Sequence, residues 1–543
     1  MSVFVRFLNS KEVISKTSFC KKSLFAVMLL LFSVACSAQK ETADYDKLNT
    51  LLTKDQVGAA ALPDKIGTIK APFPMPQLQR PLFPNFSISI VSKGAKEGEK
   101  ITRVIQQAIN EVSQQGGGKV IIPEGNWNSG RIILKSNVEL HFEEGAVLQF
   151  SGAVEDYQPA VFTRHEGIEI MSLGACIYAN GQRNIAITGK GRLIGPAKDS
   201  SVMKQVIIPA VTEEYIPQSK PVAERVYAGE NGGPIFLPMF ISPTNCSNVL
   251  IEGVSLENTA FWNIVPVYCD SVIIRGVTVN SVGIPRGDGI DIESSKNVLI
   301  EYCTLNNGDD CFTLKAGRSE DGVRINKPTE NVVIRYCLAK EGHGGVTIGS
   351  ETAAMIRNVY AHDCVFENTR IGIRFKTRRN RGGGGENLHY ERIRMNVTSA
   401  AFLWDMLGEK KYVGELAVRL PARDINHLTP AYRNIFARDI VVDKSGQFVV
   451  VTSIPESPLS NVVIENAIIH SGKLFSAIDV NGFAVKNAKI ICTEPVISVQ
   501  DCRKISFENV QFDGSGKEVK VKLSGINADD VQFKNCTPAE PKG

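Results

Sequence analysis

Three carboxylates and a histidine stand out for their type and spacing. Asp288 lies in Arg286-Gly-Asp-Gly289, Asp309 and Asp310 in Asn307-Gly-Asp-Asp-Cys311, and His343 in Gly342-His-Gly344. Arg374 and Lys376 follow, spaced i, i+2, which aims both side chains out of one strand face. Carboxyl groups held a few ångströms apart are what acid/base cleavage of a glycosidic bond requires. Two cations beside them would draw an anionic substrate to that chemistry. Taken singly, each piece reads as a solvated turn, a loop or a strand face. A catalytic reading requires an element that brings them together.

That element is a repeat. Asn248-Val-Leu-Ile-Glu-Gly-Val254, Ser271-Val-Ile-Ile-Arg-Gly-Val277, Asn297-Val-Leu-Ile-Glu-Tyr-Cys303, Asn331-Val-Val-Ile-Arg-Tyr-Cys337 and Asn358-Val-Tyr-Ala-His-Asp-Cys364 share one pattern. Further copies start at Asn434, Asn461 and Asp530, and earlier traces at Asn137 and Asn184. The spacing suits one coil of a parallel β-helix, a solenoid whose stacked coils bury a continuous core. An antiparallel sandwich would need hairpin turns that this period does not supply. Within each unit, one strand face is expected to point into the coil and the other to solvent. The recurrent Asn reads as a turn residue and a candidate side-chain ladder. Asp288 and Asp309 then fall one coil apart, about 5 Å along the axis, with Asp310 at a bend and His343, Arg374 and Lys376 on later coils.

The fold class expected is all-β, a right-handed parallel β-helix with an N-terminal capping helix. Residues 101–113 are amphipathic and stop at Gly116-Gly-Gly118, which suits a helix closing the first coil. Three segments are expected: 1–38 a signal peptide, 39–84 a Pro-rich extended arm or linker, and 85–543 the β-helix. Residues 200–235 read as a long loop beside a functional face and 317–326 as a polar loop.

Lys21 and Lys22 precede the apolar run Leu24 to Val34, which is too short to span a bilayer and has the form of an export leader. Cleavage after Ala38 and lipidation of Cys36 in Ser33-Val-Ala-Cys36 both remain open. The first gives an exported or secreted chain. The second gives an outer-membrane lipid anchor facing the periplasm. The leader carries Arg6, Lys11, Lys16, Lys21, Lys22 and Glu12, so its removal turns the formal +4 into balanced charge. Nothing in that balance indicates a nucleic-acid partner. Cys303, Cys337, Cys364 and Cys536 end the same kind of segment and read as stacked interior positions. No zinc-ligand spacing occurs, and neither cofactor nor metal is expected. A monomer is expected.

Several motifs together resemble one family. They are Gly116-Gly-Gly-Lys-Val-Ile-Ile-Pro123, Trp262-Asn-Ile-Val-Pro-Val267, Gly289-Ile-Asp-Ile292, Gly308-Asp-Asp-Cys311, Gly342-His-Gly-Gly-Val-Thr-Ile-Gly-Ser350 and Arg374-Phe-Lys-Thr377. From about residue 86 to at least 395 the chain resembles the polygalacturonases, family 28 of the glycoside hydrolases. The resemblance implies inverting hydrolysis of α-linked galacturonic acid in pectic poly- or oligosaccharides. By position, it makes Asp309 the general acid, and Asp288 and Asp310 the groups that activate water. His343 would support the acid, and Arg374 and Lys376 would grip a galacturonate carboxylate. Tyr412 and Tyr432 are both candidates for the family's cleft tyrosine.

Two departures bear on specificity. Arg286 stands where the family usually has the Asn of Asn-Thr-Asp-Gly, and Val265 where His is common. Arg286 is therefore expected to contact a second acidic or branched sugar. The loop at 317–326 resembles insertions in exo-acting bacterial relatives, so exo-action is expected. The alternatives are a rhamnogalacturonan galacturonohydrolase, a Ca²⁺-dependent polysaccharide lyase of the same fold, and a non-catalytic carbohydrate-binding β-helix.

Overall fold

The computed structural model describes residues 45–205, 215–526 and 528–539. The expected leader, Cys36 and part of the 200–235 loop, including Pro209, lie outside the described residues. The chain winds as a right-handed parallel β-helix. Val249, Val272, Val298, Val332 and Val359 are register partners on successive coils. The next apolar position but one, Ile251, Ile274, Ile300 and Ile334, stacks with them inside the coil and is buried.

The repeated Asn explains the register. Asn137, Asn184, Asn248, Asn297, Asn331 and Asn358 all adopt φ between 50° and 62°, the left-handed turn that Asn tolerates best after Gly. Each side-chain amide donates to the side chain below. Asn248 reaches Asn184 at 2.6 Å, Asn331 reaches Asn297 at 3.2 Å and Asn358 reaches Asn331 at 3.0 Å. Where Ser271 replaces Asn, Asp270 accepts from Asn297 at 2.8 Å and ends the upper run of the ladder. Cys303, Cys337 and Cys364 stack as buried free thiols, the Cys303 amide donating to Cys337 Sγ at 3.5 Å.

Thr102–Gln114 forms the cap helix and buries Ile105, Ala108, Ile109 and Val112 against the first coils. The expectation of a solvent-facing outer strand surface holds where Val138–Phe142 and Arg503–Asp513 alternate, but it is overturned on the coils that residues 45–84 cover. The runs Val-Leu-Ile, Val-Ile-Ile and Val-Val-Ile are apolar on both faces, as strands buried on both sides are. Their middle residues Leu250, Ile273, Leu299 and Val333 lie under Ile69, Phe73 and Leu78. Residues 45–84 are therefore a packed strap and not a linker. Arg80 grips Glu252 through two bonds of 2.7 Å, and Arg335 holds the carbonyls of Gly67 and Thr68 at 2.9 Å.

The expected polar loop at 317–326 contains a short helix, Ser319–Ile325, closed by Asn326 at φ 51°. Asp321 fixes it, accepting from the Glu169 amide at 3.1 Å and from Arg225 at 3.0 Å. It thereby locks onto an antiparallel hairpin, Val161–His165 with Ile168–Ser172. That hairpin lies over the coil bearing Glu293, with Arg164 donating to Ser294 at 2.6 Å and Tyr268 to Glu169 at 2.9 Å.

Candidate active site

Four coils build the site. Asp288 precedes the strand Ile290–Glu293, and Asp309 and Asp310 occupy the bend before Phe312–Lys315. His343 lies within Leu338–Ile348, and Arg374 and Lys376 close Thr369–Lys376. Backbone bonds set the register: the Gly289 amide donates to Asp310 O at 2.9 Å, Cys311 to Gly344 O at 2.8 Å and His343 to Asp309 O at 3.0 Å. One oxygen from each of Asp288, Asp309 and Asp310 lies within 4.8 Å of the others.

The three carboxyls are not equivalent. Asp310 is fully buried, and its Oδ1 accepts from Arg374 Nη1 at 2.9 Å and its Oδ2 from Lys376 Nζ at 2.6 Å. Burial works against its charge, but Lys376 and Arg374 outweigh it and hold the carboxyl well below the usual range. Asp288 is 3% exposed. Burial first, then the neighbouring Asp291 and Asp309 charges, push its carboxyl well above the usual range. Asp309 is the accessible member, its side chain 21% exposed beside a His343 that is 46% exposed. Its Oδ1 lies 3.0 Å from His343 Nδ1 and accepts the Asp310 amide at 2.9 Å. Burial raises its proton affinity, but the His343 contact prevails and keeps it low.

Arg374 and Lys376 are thus aimed at Asp310 in the free protein. A divalent cation held by the three aspartates would have to compete with these two cations, so the donor set suits carboxylate chemistry better than metal binding. Arg286, two residues before Asp288, sits over the Phe261 ring at 5.4 Å and faces Glu166 at 3.3 Å, still 30% exposed. Of the two tyrosines, Tyr432 is buried beneath the floor, its hydroxyl donating to the carbonyls of Ile348 and Lys376. Tyr412 is 41% exposed, with Arg378 over its ring at 4.6 Å.

Sequence reasoning missed a second charged row under the first. Asp291 and Glu293 share one strand face, and Lys315 faces them from the next coil, 3.6 Å from Asp291 and 3.0 Å from Glu351. Lys315 also lies 4.4 Å from the centre of the Trp262 ring. Burial, only partly countered by Lys315, pushes Asp291 up to about 8. Burial likewise takes Glu293 up to about 7 against the pull of Arg164. The i, i+2 acids in Gly289-Ile-Asp-Ile-Glu293 were the available signal.

The model of glycosyl hydrolases family 28 matches residues 228–478, a span that holds every residue of this cluster. A hyperthermoactive exopolygalacturonase from Thermotoga maritima superposes with a TM-score of 0.64 at 31% sequence identity, over 73% of this chain and 90% of that one. The chain belongs to glycosyl hydrolases family 28. A probable polygalacturonase from Vitis vinifera is 26% identical over 388 residues, 69% of this chain and 72% of the relative. An exo-poly-alpha-D-galacturonosidase from Dickeya chrysanthemi is 26% identical over 332 residues, 57% of this chain and 55% of the relative. As a family 28 member the protein is a glycoside hydrolase, and of its three clustered aspartates Asp309 is the one open to solvent.

Proposed function

We propose that this protein hydrolyses α-galacturonosyl linkages of pectic poly- or oligosaccharides from a chain end, with inversion. The observation that carries the reading is the graded carboxylate cluster: one member accessible, one buried with raised proton affinity and one paired with two cations. Asp309 alone has the exposure to reach a glycosidic oxygen. In the free protein Asp288 is the member of the three whose proton affinity burial raises, and its nearest oxygen is within 4.8 Å of Asp309. Entry of an anionic sugar raises the proton affinity of the whole cluster, and Asp309 takes a proton for the leaving oxygen. Asp288, ionised once its proton has passed to Asp309, and Asp310 then accept the proton of a water attacking from the opposite face. Arg374 and Lys376, with hydrogens left over from Asp310, attract the sugar carboxylate.

Inverting pairs usually stand about 6.5–9.5 Å apart and retaining pairs about 5–5.5 Å. The oxygens here are closer, yet two oxygens within 4.8 Å can share one water through bent hydrogen bonds of about 2.8 Å. Stereochemistry is therefore the discriminating measurement: ¹H NMR should show the β-anomer first, and an initial α-product would overturn inversion.

The exo-polygalacturonase relatives and the hairpin 161–172 roofing one side of the face support chain-end attack. Arg286, exposed beside the cluster, supports a second acidic or branched sugar next to the scissile bond. Product analysis over a panel of homogalacturonan and rhamnogalacturonan oligosaccharides tests both, with Asp309→Asn as the control. Loss of viscosity ahead of reducing-end release would refute exo-action. Full activity of Arg286→Ala on every galacturonide would remove the role given to that residue. Export rests on the Lys21-Lys22 leader and its apolar run. Mass spectrometry of the mature N-terminus separates cleavage after Ala38 from a lipid on Cys36, and sedimentation tests the monomer.

A further inference from the structure

Arg378 extends the row of Arg374 and Lys376. The chain stays extended past the strand, the Thr377 amide donating to Asp405 O at 3.0 Å. Alternation therefore puts Arg378 on the same face as Lys376, roughly 7 Å further along. Its stem lies across Gly408, where a Cβ would come within 2.9 Å of Arg378 Cγ. Its guanidinium covers the Tyr412 ring at 4.6 Å. Among the described residues no carboxylate lies within ion-pair distance of it. Asp405, the nearest acid on the facing coil, turns its oxygens to the amides of Leu407 and Gly408 at 3.1 and 2.9 Å. Burial pulls the Arg378 guanidinium below its ordinary value, outweighing the more distant charges of Glu351 and Glu166.

The space it faces is a pocket of about 580 Å³, a size that accepts a sugar. It is lined by Arg318, Arg378, Arg381, Tyr412, Gln218 and one acid, Glu320, which lies 2.9 Å from His427. Arg318, engaged with Glu166 at 3.4 Å, keeps a buried Nε–H with no partner. Arg379 also lines the pocket but is engaged by Glu456 at 2.6 Å. We propose that this pocket is an anion subsite in which Arg378, held against the Tyr412 ring and backed by Arg318, binds the carboxylate of a uronic acid. The proposal rests on the reading of the protein as a galacturonoside hydrolase and adds where a second carboxylate of the substrate is recognised. A buried guanidinium gains most from a carboxylate, which accepts two of its hydrogens at once.

The test compares full-length wild type, Arg378→Gln and Arg378→Lys on trigalacturonate and on its methyl ester, with calorimetric titration of galacturonate and galactose alongside. The expected result is a KM for trigalacturonate raised about 10- to 100-fold in Arg378→Gln, the range for losing a charged hydrogen bond. The kcat changes less than about twofold, since the contact binds ground and transition states alike. The KM for the ester stays as in wild type, and Arg378→Lys recovers part of the loss. Galacturonate binding weakens in Arg378→Gln, and galactose discriminates none of the proteins. Wild-type KM and galacturonate affinity in a folded Arg378→Gln protein would overturn the subsite. Wild type that cleaves no galacturonoside, yet binds galacturonate through Arg378, would leave the subsite standing and overturn the functional reading instead.

Discussion

Arg374 reaches Asp310 across an intervening coil: Nη1 and Oδ1 are 2.9 Å apart, and Gly344 is the residue between them. A Cβ on Gly344 would stand 2.8 Å from Asp310 Oδ1, 3.3 Å from Arg374 Cβ and 2.3 Å from Thr347 Oγ1. The absence of a side chain there is what lets a cation two coils away neutralise a carboxylate with no exposure.

Gly344→Ala should therefore displace Asp310 with little harm to the coil. Because displacements of about 1 Å at a reacting group cost on the order of 100-fold, kcat should fall by about that factor while circular dichroism stays that of a β-helix. Wild-type kcat in this variant would show that the Asp310–Arg374 geometry is not required.

The three aspartates should separate by function and stability. Asp309→Asn should lower kcat by about 10²–10⁴, the range for losing a general acid, with a melting temperature near wild type. Asp288→Asn should also lose activity. Near pH 7 it should melt no lower than wild type, because burial disfavours a charged carboxylate there and the amide removes that cost. A marked loss of stability in Asp288→Asn would mean that Asp288 is ionised in the free protein.

Stability should fall as pH rises from about 5 to 8. Asp291 and Glu293 titrate in the folded protein near 8 and 7, whereas an unfolded chain releases these protons near pH 4. Between those limits the folded state binds more protons, so raising pH favours unfolding. Asp310 and Glu351 are depressed, held by Lys376 with Arg374 and by Lys315 respectively. Their contribution is lost as pH falls below about 4. Thermal melts should peak near pH 5, and Asp291→Asn should flatten the alkaline limb. A flat profile from pH 5 to 8 would contradict this assignment.

Lys315→Met should destabilise the fold by about 3–5 kcal/mol, the cost of leaving buried carboxylates without their cation. Adding Glu351→Gln should return part of that loss. Equal urea midpoints for wild type and Lys315→Met would show that Asp291 and Glu351 are neutralised by other means.

Much of this arrangement was legible in the sequence because a solenoid translates spacing along the chain into position in space. A turn Asn every coil and an apolar strand after it identify the repeat. Residues at one phase of that repeat must stack about 5 Å apart, so Asp288, Asp309, Asp310, His343, Arg374 and Lys376 could be placed together without coordinates. The same local logic located the cap helix from its 3.6-residue period.

What the sequence left undecided depends on contacts between distant segments. The strap at 45–84 has no periodicity of its own, and only the apolar row it covers shows why Ile69, Phe73 and Leu78 bury there. The proton affinities of the three aspartates differ because burial and neighbouring charge differ, and neither is a property of Gly-Asp-Asp as a motif. Arg378 in sequence is one of several arginines. It becomes distinct only where Asp405 turns away from it, Gly408 makes room for its stem and Tyr412 lies beneath its guanidinium. Repetition along one chain determined which side chains share a face, and packing between coils, strap and hairpin determined which of them carry charge and which have a partner.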